Sequence, residues 1–253
     1  MPRFGQRSEE LEHLDLGDYT PEEYEGCMVE LRRVNRYLGD ARALARSVLP
    51  EIERDTSTEA GEGGARGFSL LDVGAGTGEL LREVARWARS KNLKARLTGL
   101  ELNERSARGI VEESRGFDEI TAVRGDALRM PFGAGAFDYV MCSLFAHHFR
   151  DAGVISVLRE MSRVARRRVF LIDLHRHPVA YYFYTTVGRL FLHNRLIRED
   201  GALSILRGFV PRELRHLAES AGLTGAKVER RFPYRLVLSG GESRGQRSEV
   251  GGQ

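Results

Sequence analysis

The sequence predicts an α/β fold, a doubly wound, mostly parallel seven-stranded sheet with N-terminal lid helices and an inserted helical cap. Three observations carry this. From Phe68 onward, short apolar runs alternate with helical periodicities, the pattern of strand–helix–strand units joined by right-handed crossovers. The first run, LLDV, flows into Gly74, Gly76 and Gly78 and then into a helical pattern, as a ligand loop between a strand and a helix N-terminus would. Two last runs, Lys227–Arg231 and Tyr234–Leu238, read as a hairpin that closes the sheet with one antiparallel strand.

In order, residues 1–19 are charged with few periodic apolar positions and are expected to be flexible. Residues 20–66 are expected to be lid helices and a linker. Thr20-Pro21-Glu22-Glu23 supplies a capping hydroxyl, a proline at the first helical position and acids in the first turn. Tyr24, Met28 and Leu31 then recur at helical spacing, Gly39-Asp40 interrupts, and a second helix runs to about Glu53. Asp55 to Gly67, loosened by four glycines, reads as a linker. The main domain is expected over 67–240, with the cap at about 178–210, and 241–253 as a disordered tail of Gly, Ser and charge.

Within the domain, strand one is Ser69–Val73, and the helix from Thr77 to about Ser90 buries Leu80, Leu81, Val84 and Ala88. Lys94–Leu102 is strand two, with Glu101 at its end. A carboxylate there, roughly 20 residues past the glycines, is where doubly wound folds hold ribose hydroxyls, and its two oxygens suit a vicinal diol. Strand three, Ile120–Val123, leads into Asp126-Ala127, where an Asx-turn is the structural alternative to a binding role. Leu128–Gly135 is a turn whose Met130-Pro131-Phe132 is placed to wall a base. Strand four, Ala136–Leu144, is followed by Phe145-Ala146-His147-His148-Phe149 at the point where strand order reverses. Asp151–Arg166 is a helix, with Arg166-Arg167-Arg168 as its solvated end. Strand five, Val169–Leu174, ends in Asp173-Leu174-His175-Arg176-His177. The aromatic segment Val179–Leu196 carries Arg189 and His193, so it reads as a helical substrate cap rather than a membrane span. Asp200–Phe209 is expected to be a loop before a helix over Pro211–Ala221.

The glycine string lacks the spacing of the dinucleotide fingerprint and the lysine of the phosphate loop. Asp72-Val73-Gly74-Ala75-Gly76-Thr77-Gly78 resembles motif I of the class I S-adenosylmethionine-dependent methyltransferases. Beyond it, VLREMSRVARR, LIDLHRHPVAYY and SILRGF look like bacterial methyltransferases of polyketide or quinone biosynthesis. The resemblance spans roughly Phe68 to Leu238. It implies S-adenosyl-L-methionine as cofactor, with Asp72, Gly74, Ala75 and Gly76 around its methionine part and Glu101 and Leu102 at the ribose. Asp126 would accept from the adenine amino group and the Ala127 N–H would reach a ring nitrogen. Ser143, at the end of strand four, joins this cofactor set. N-terminal helices of such enzymes pack as a lid, which would turn Arg36 toward the cofactor carboxylate; a solvated helix face is the alternative.

Methyl transfer to a phenol or enol benefits from a general base, and a neutral imidazole is available near pH 7. His148 is the first candidate and His147 the second, since successive residues of an extended strand point to opposite sides. Asp173, His175 and His177 come next. The end of strand four has no acid before Asp151, and three or four converging ligands are not evident, so no metal is expected. Ser143-Leu144-Phe145-Ala146 does not match the motif of base-amino methyltransferases.

The net charge of +3 over 253 residues is small, and Lys occurs only at 91, 94 and 227, so the arginines reflect a compositional habit. No apolar run reaches 18 residues and the two cysteines, Cys27 and Cys142, have no ligand spacing. A cytoplasmic enzyme of secondary metabolism is expected, acting on a small hydrophobic acceptor, with no nucleic acid and no stable membrane insertion. Two alternatives remain: an RNA or protein methyltransferase, if the arginines join into one face, and a non-catalytic S-adenosylmethionine-binding protein.

Overall fold

A computed structural model describes residues 2–37, 39–58 and 66–241, without the side chains of 28 and 31–38. The predicted tail beyond residue 241 and most of the predicted linker lie outside the described residues. The N-terminal helices are α1 (His13–Leu16), α2 (Pro21–Tyr37), α3 (Asp40–Ala43) and α4 (Leu49–Thr58), the last two joined by a π-helical turn. Next come β1 (Gly67–Val73), α5 (Glu79–Ser90), β2 (Lys94–Glu101), α6 (Glu104–Glu113), β3 (Ile120–Arg124) and β4 (Phe137–Ser143). The second half holds α7 (Asp151–Val164), β5 (Ala165–Leu174), α8 (Pro178–Thr186), α9 (Arg195–Arg207), α10 (Pro211–Ser220), β6 (Lys227–Arg231) and β7 (Arg235–Gly240).

The seven strands lie in the order β3-β2-β1-β4-β5-β7-β6. β1 to β5 are parallel and β7 runs antiparallel to β5, as the final hairpin requires. Strand order reverses between β1 and β4, so the glycine loop and the His147 segment open side by side at one edge. Residues two apart share a face: Leu71 and Val73 join the core under α7 and α10, while Phe68 and Leu70 join the core under α5.

The pair of expected lid helices divides. Ala43, Leu44, Val48, Leu49 and Ile52 are all buried against Phe68, Tyr139 and Phe170, so the helix through α3 and α4 is a layer of the sheet core. α2 instead joins the cap, where Cys27 packs with Leu192, Leu196 and Ile197.

Three local expectations are corrected. Residues 200–207 are helical, the continuation of α9. Asn194 caps α9 by accepting from Leu196 N, and Gly201 marks close packing there, because a Cβ would sit 2.0 Å from the Tyr184 hydroxyl. Arg166-Arg167-Arg168 begin β5 rather than ending a helix, and they are paired rather than solvated. Arg166 and Arg167 reach the buried Asp138, and Arg168 reaches Glu51 and Asp55. The third correction concerns the N-terminus, expected to be flexible. Arg7 donates to the Arg207 and Phe149 carbonyls and to Asp151, with its guanidinium 4.2 Å from the Phe209 ring centre. Glu12 is buried. The segment is a strap across the carboxyl edge of the sheet.

Candidate active site

The glycine loop begins where β1 runs out. Gly74, Gly76 and Gly78 have φ of 69°, 55° and 79°, left-handed values that a side chain resists. The Gly74 and Ala75 N–H groups donate to the Leu100 carbonyl, which pins the loop to the end of β2. A Cβ on Gly76 would meet nothing within 4 Å, so the main chain there is open. Gly74 differs: a Cβ would lie 2.3 Å from the Phe145 ring, which roofs that part of the loop. Phe145 follows Leu144, whose φ of 48° turns the chain sharply out of β4.

Asp72 lies beneath the loop, buried on β1 between Gly99 of β2 and Met141 of β4. Its Oδ1 has no hydrogen-bond partner among the described residues. Burial, with the Glu101 charge second, pushes its carboxyl up to about 8. A buried carboxylate without a partner is costly, and a cation placed beside it would relieve that cost. Glu101 closes β2. Its Oε2 accepts from Gly76 N at 3.0 Å, and its Oε1 accepts from Leu102 N and Asn103 N. Leu102 is 63% exposed, an apolar side chain held at the edge of the cleft.

Asp126 stands just beyond β3, the strand next to β2, and the Gly125 N–H bonds the Glu101 carbonyl. The Asp126 Oδ1 accepts from Leu128 N at 2.8 Å, an Asx-turn, while Ala127 is buried behind it. Ser143 ends β4, paired with Ile172 of β5. Asp72, Gly74, Ala75, Gly76, Glu101, Leu102, Asp126 and Ser143 therefore share the carboxyl edge. Arg36 belongs to α2, but its side chain is outside the described residues. Phe132 does not wall this edge: its ring packs 4.9 Å from that of Phe137, at the amino end of β4, and Met130 is buried in the core.

The two histidines depart from the expected geometry. A 3-10 turn over Ala146–His148 replaces extended chain, so both rings lie together, 4.3 Å apart. His147 is buried, its Nδ1 lies 2.7 Å from Asp173 Oδ1, and its N–H donates to Asp173 Oδ2. Its Nε2 faces Glu12 at 3.9 Å. His148 is half-buried, with Nδ1 at 3.4 Å from Asp15. Burial opposes charge on His148, but the Asp15 hydrogen bond and the Glu12 and Asp15 charges outweigh it and raise its pKa. Burial likewise pushes the Asp173 carboxyl up, yet the His147 charge and hydrogen bond and two backbone donors hold it below the ordinary value.

Arg207 knits this cluster to the strap. It donates to the carbonyls of His147, His148 and Glu10, and lies 4.0 Å from Glu12 and 3.6 Å from Asp15. Ser204 donates to Glu12 at 2.7 Å. Ligand atoms of Glu12, His147 and His148 come within 4.8 Å of one another, a convergence that sequence reading did not assemble. The Arg207 guanidinium beside them already supplies a cation. His175 and His177 form a separate pair against Tyr234. Glu12, Asp15, Ser204 and Arg207 were not singled out from sequence; the nearest signal was Glu12 and Asp15 three apart beside Leu11 and Leu14.

The sequence pattern of methyltransferase domains matches residues 70–168, from β1 into the start of β5. Residues 70–168 thus match a methyltransferase domain. It is 24% identical over 175 residues to the demethylmenaquinone methyltransferase of Staphylococcus aureus, covering 64% of this chain and 70% of that one. Among solved structures, a SAM-dependent methyltransferase from Aquifex aeolicus superposes with a TM-score of 0.55 at 14% identity, over 83% of this chain and 96% of the other. Magnesium protoporphyrin IX methyltransferase from Synechocystis, solved with bound SAM, gives 0.53 at 16% identity, over 81% and 80% of the two chains. The methyltransferase domain thus accounts for the glycine loop and the strand order together. Among the described residues no helix is long and apolar enough to cross a membrane.

Proposed function

We propose that this methyltransferase domain moves a methyl group from S-adenosylmethionine to an oxygen or carbon of a small hydrophobic acceptor, aromatic and of the quinone or polyketide kind, in the cytoplasm. The observation that carries the cofactor reading is Asp72: a buried carboxyl group whose Oδ1 has no hydrogen-bond partner among the described residues, under an open main-chain loop. Such a group fits the ammonium of the methionine part. Gly74, Ala75 and Gly76 would cradle that part, Glu101 would take the ribose diol with Leu102 beside it, and Asp126 and Ala127 would hold adenine. Ser143 would complete the wall from β4. S-adenosylmethionine supplies an electrophilic methyl group, which leaves the protein to align it, exclude water and manage the acceptor's proton.

The acceptor class is supported by the aromatic cap and by the name of the Staphylococcus aureus relative. His148 is the proposed base: Asp15 sits at its Nδ1, which leaves Nε2 for a hydroxyl proton. His147 is the weaker candidate, because Asp173 takes its Nδ1 and its Nε2 faces Glu12. An RNA or protein acceptor is not favoured, since the Arg166–Arg168 run is engaged with Asp138, Glu51 and Asp55.

Calorimetric titration with S-adenosylmethionine tests the cradle. Gly76→Arg should abolish binding and Glu101→Ala should weaken it at least tenfold, by about 1.5–3 kcal/mol for a charged hydrogen bond. Wild-type affinity in both variants would refute the assignment. Methyl-labelled cofactor offered with a prenylated quinol should label the quinol; labelling of RNA or protein alone would refute the acceptor class.

A further inference from the structure

α8 leaves the carboxyl edge of β5 and exposes an unusual face. Val179, Tyr182, Phe183, Val187 and Leu190 recur at helical intervals of three and four, and all are exposed, Leu190 to 72%. Phe191 extends the stripe at 68%. Single exposed apolar residues are ordinary; six adjoining ones on one helix and its following turn are not. The neighbouring flank is polar and basic. A cleft of about 330 Å³ lies between α8 and α9, lined among others by Arg189, His193, Arg195, Arg198 and Glu199. Three arginines against one glutamate leave a surplus of two positive charges there. Arg195 is engaged with Glu23 and Glu199, whereas the guanidinium groups of Arg189 and Arg198 have no partner among the described residues.

We propose that this stripe and cleft dock the protein on an anionic phospholipid bilayer. Rings and aliphatic side chains along one edge of α8 would enter the headgroup–acyl boundary, with the Tyr182 hydroxyl at its wet side. Arg189 and Arg198 on the adjoining edge would meet lipid phosphates. Charge complementarity selects the bilayer over a second copy of this chain. A two-fold contact through the stripe would bring the same surplus of arginines together from both copies. The consequence for the acceptor rests on the proposed function: the cap would open toward the phase in which a hydrophobic acceptor dissolves.

Vesicle flotation tests this with the full chain. Wild type should float with mixed phosphatidylglycerol–phosphatidylcholine vesicles, and at least about tenfold less with phosphatidylcholine alone. Phe183→Glu with Leu190→Glu should remove flotation; Arg189→Glu with Arg198→Glu should remove the preference for the anionic lipid. Inorganic phosphate should not release the bound protein. Wild type that fails to float would overturn the proposal, as would an unchanged Phe183→Glu/Leu190→Glu variant, or release by phosphate alone. A dimer by light scattering that this variant splits would also overturn it, by giving the stripe to a second copy. S-adenosylmethionine binding should be the same in all these variants, so a failure of docking is read separately from a failure of the cofactor assignment.

Discussion

Asp72 on β1 and Glu101 on neighbouring β2 are coupled: burial first, and the Glu101 charge second, push the Asp72 carboxyl up to about 8. Near neutral pH the unliganded domain therefore keeps a proton on Asp72, while the ammonium of the cofactor asks for a carboxylate. Binding should expel close to one proton at pH 7, and affinity should rise as pH climbs toward that value. Calorimetry in buffers of different ionisation enthalpy reads the proton directly. Asp72→Asn should abolish the release and weaken binding by about 1.5–3 kcal/mol. Because the folded-state value is raised, the fold holds more protons than the unfolded chain, so this group's contribution to stability falls as pH rises from about 4. Asp72→Asn should flatten that slope.

Gly74 and Phe145 make a second coupled pair. Alanine at 74 must adopt φ near 69° and meet the aromatic ring at 2.3 Å. The left-handed backbone alone costs about 1–2 kcal/mol. Gly74→Ala should be destabilised by more than that, and Phe145→Ala in the same chain should recover the steric part while the backbone part persists. Urea denaturation of the four members of the cycle measures the coupling; strict additivity would mean that ring and loop do not touch.

The strap should respond to pH through His148. Its folded-state value is raised, so its stabilising share is complete below the ordinary imidazole value of about 6.5 and is lost as pH rises through the raised one. Amide exchange over residues 8–16 should accelerate across that window, and Asp15→Asn should remove the acceleration. If His148 is the base, kcat should rise over the same window, because the neutral ring is the active form, and Asp15→Asn should move that limb to lower pH. A profile untouched by both Asp15→Asn and His148→Ala would take the proton-removing role from this ring.

Asp173 shows the opposite sign. Its value is held low, so its contribution is present above the ordinary carboxylate range and vanishes as pH falls through the depressed value. Asp173→Asn removes the buried carboxylate that contacts His147 Nδ1 and accepts from the His147 and Leu174 N–H groups, and should cost about 1.5–3 kcal/mol at pH 7. Denaturant melts at pH 7 and in acid should show the variant and wild type converging at low pH.

Local pattern made much of the fold legible. Strand runs of period two and helical runs of 3.6 announced β1 to β5 and the final hairpin, and Glu101 stands at the end of β2 as the alternation requires. The misreadings have local causes. Ala165–Arg168 looked like a helix end because three arginines suit a helix dipole, yet Asp138 on adjacent β4 draws two of them into the strand. Asp200–Phe209 read as a loop, although most of it continues α9 and Gly201 is where α9 meets Tyr184. His147 and His148 looked opposed because a 3-10 turn cannot be told from extended chain over three residues.

By itself the sequence determined the succession of the strands, the glycine loop and the acids at the ends of neighbouring strands, since each depends on residues within a few positions of one another. Tertiary structure decided that Glu12, Asp15 and Arg207 enclose the histidine pair, that Phe145 roofs Gly74, and that Asp72 Oδ1 has no hydrogen-bond partner among the described residues. The physical reason is one of distance along the chain. Periodicity records which face of an element is buried, whereas the meeting of polar groups 59 to 135 residues apart, the Arg207 guanidinium with the His148 carbonyl and Glu12 with His147, depends on which elements pack together.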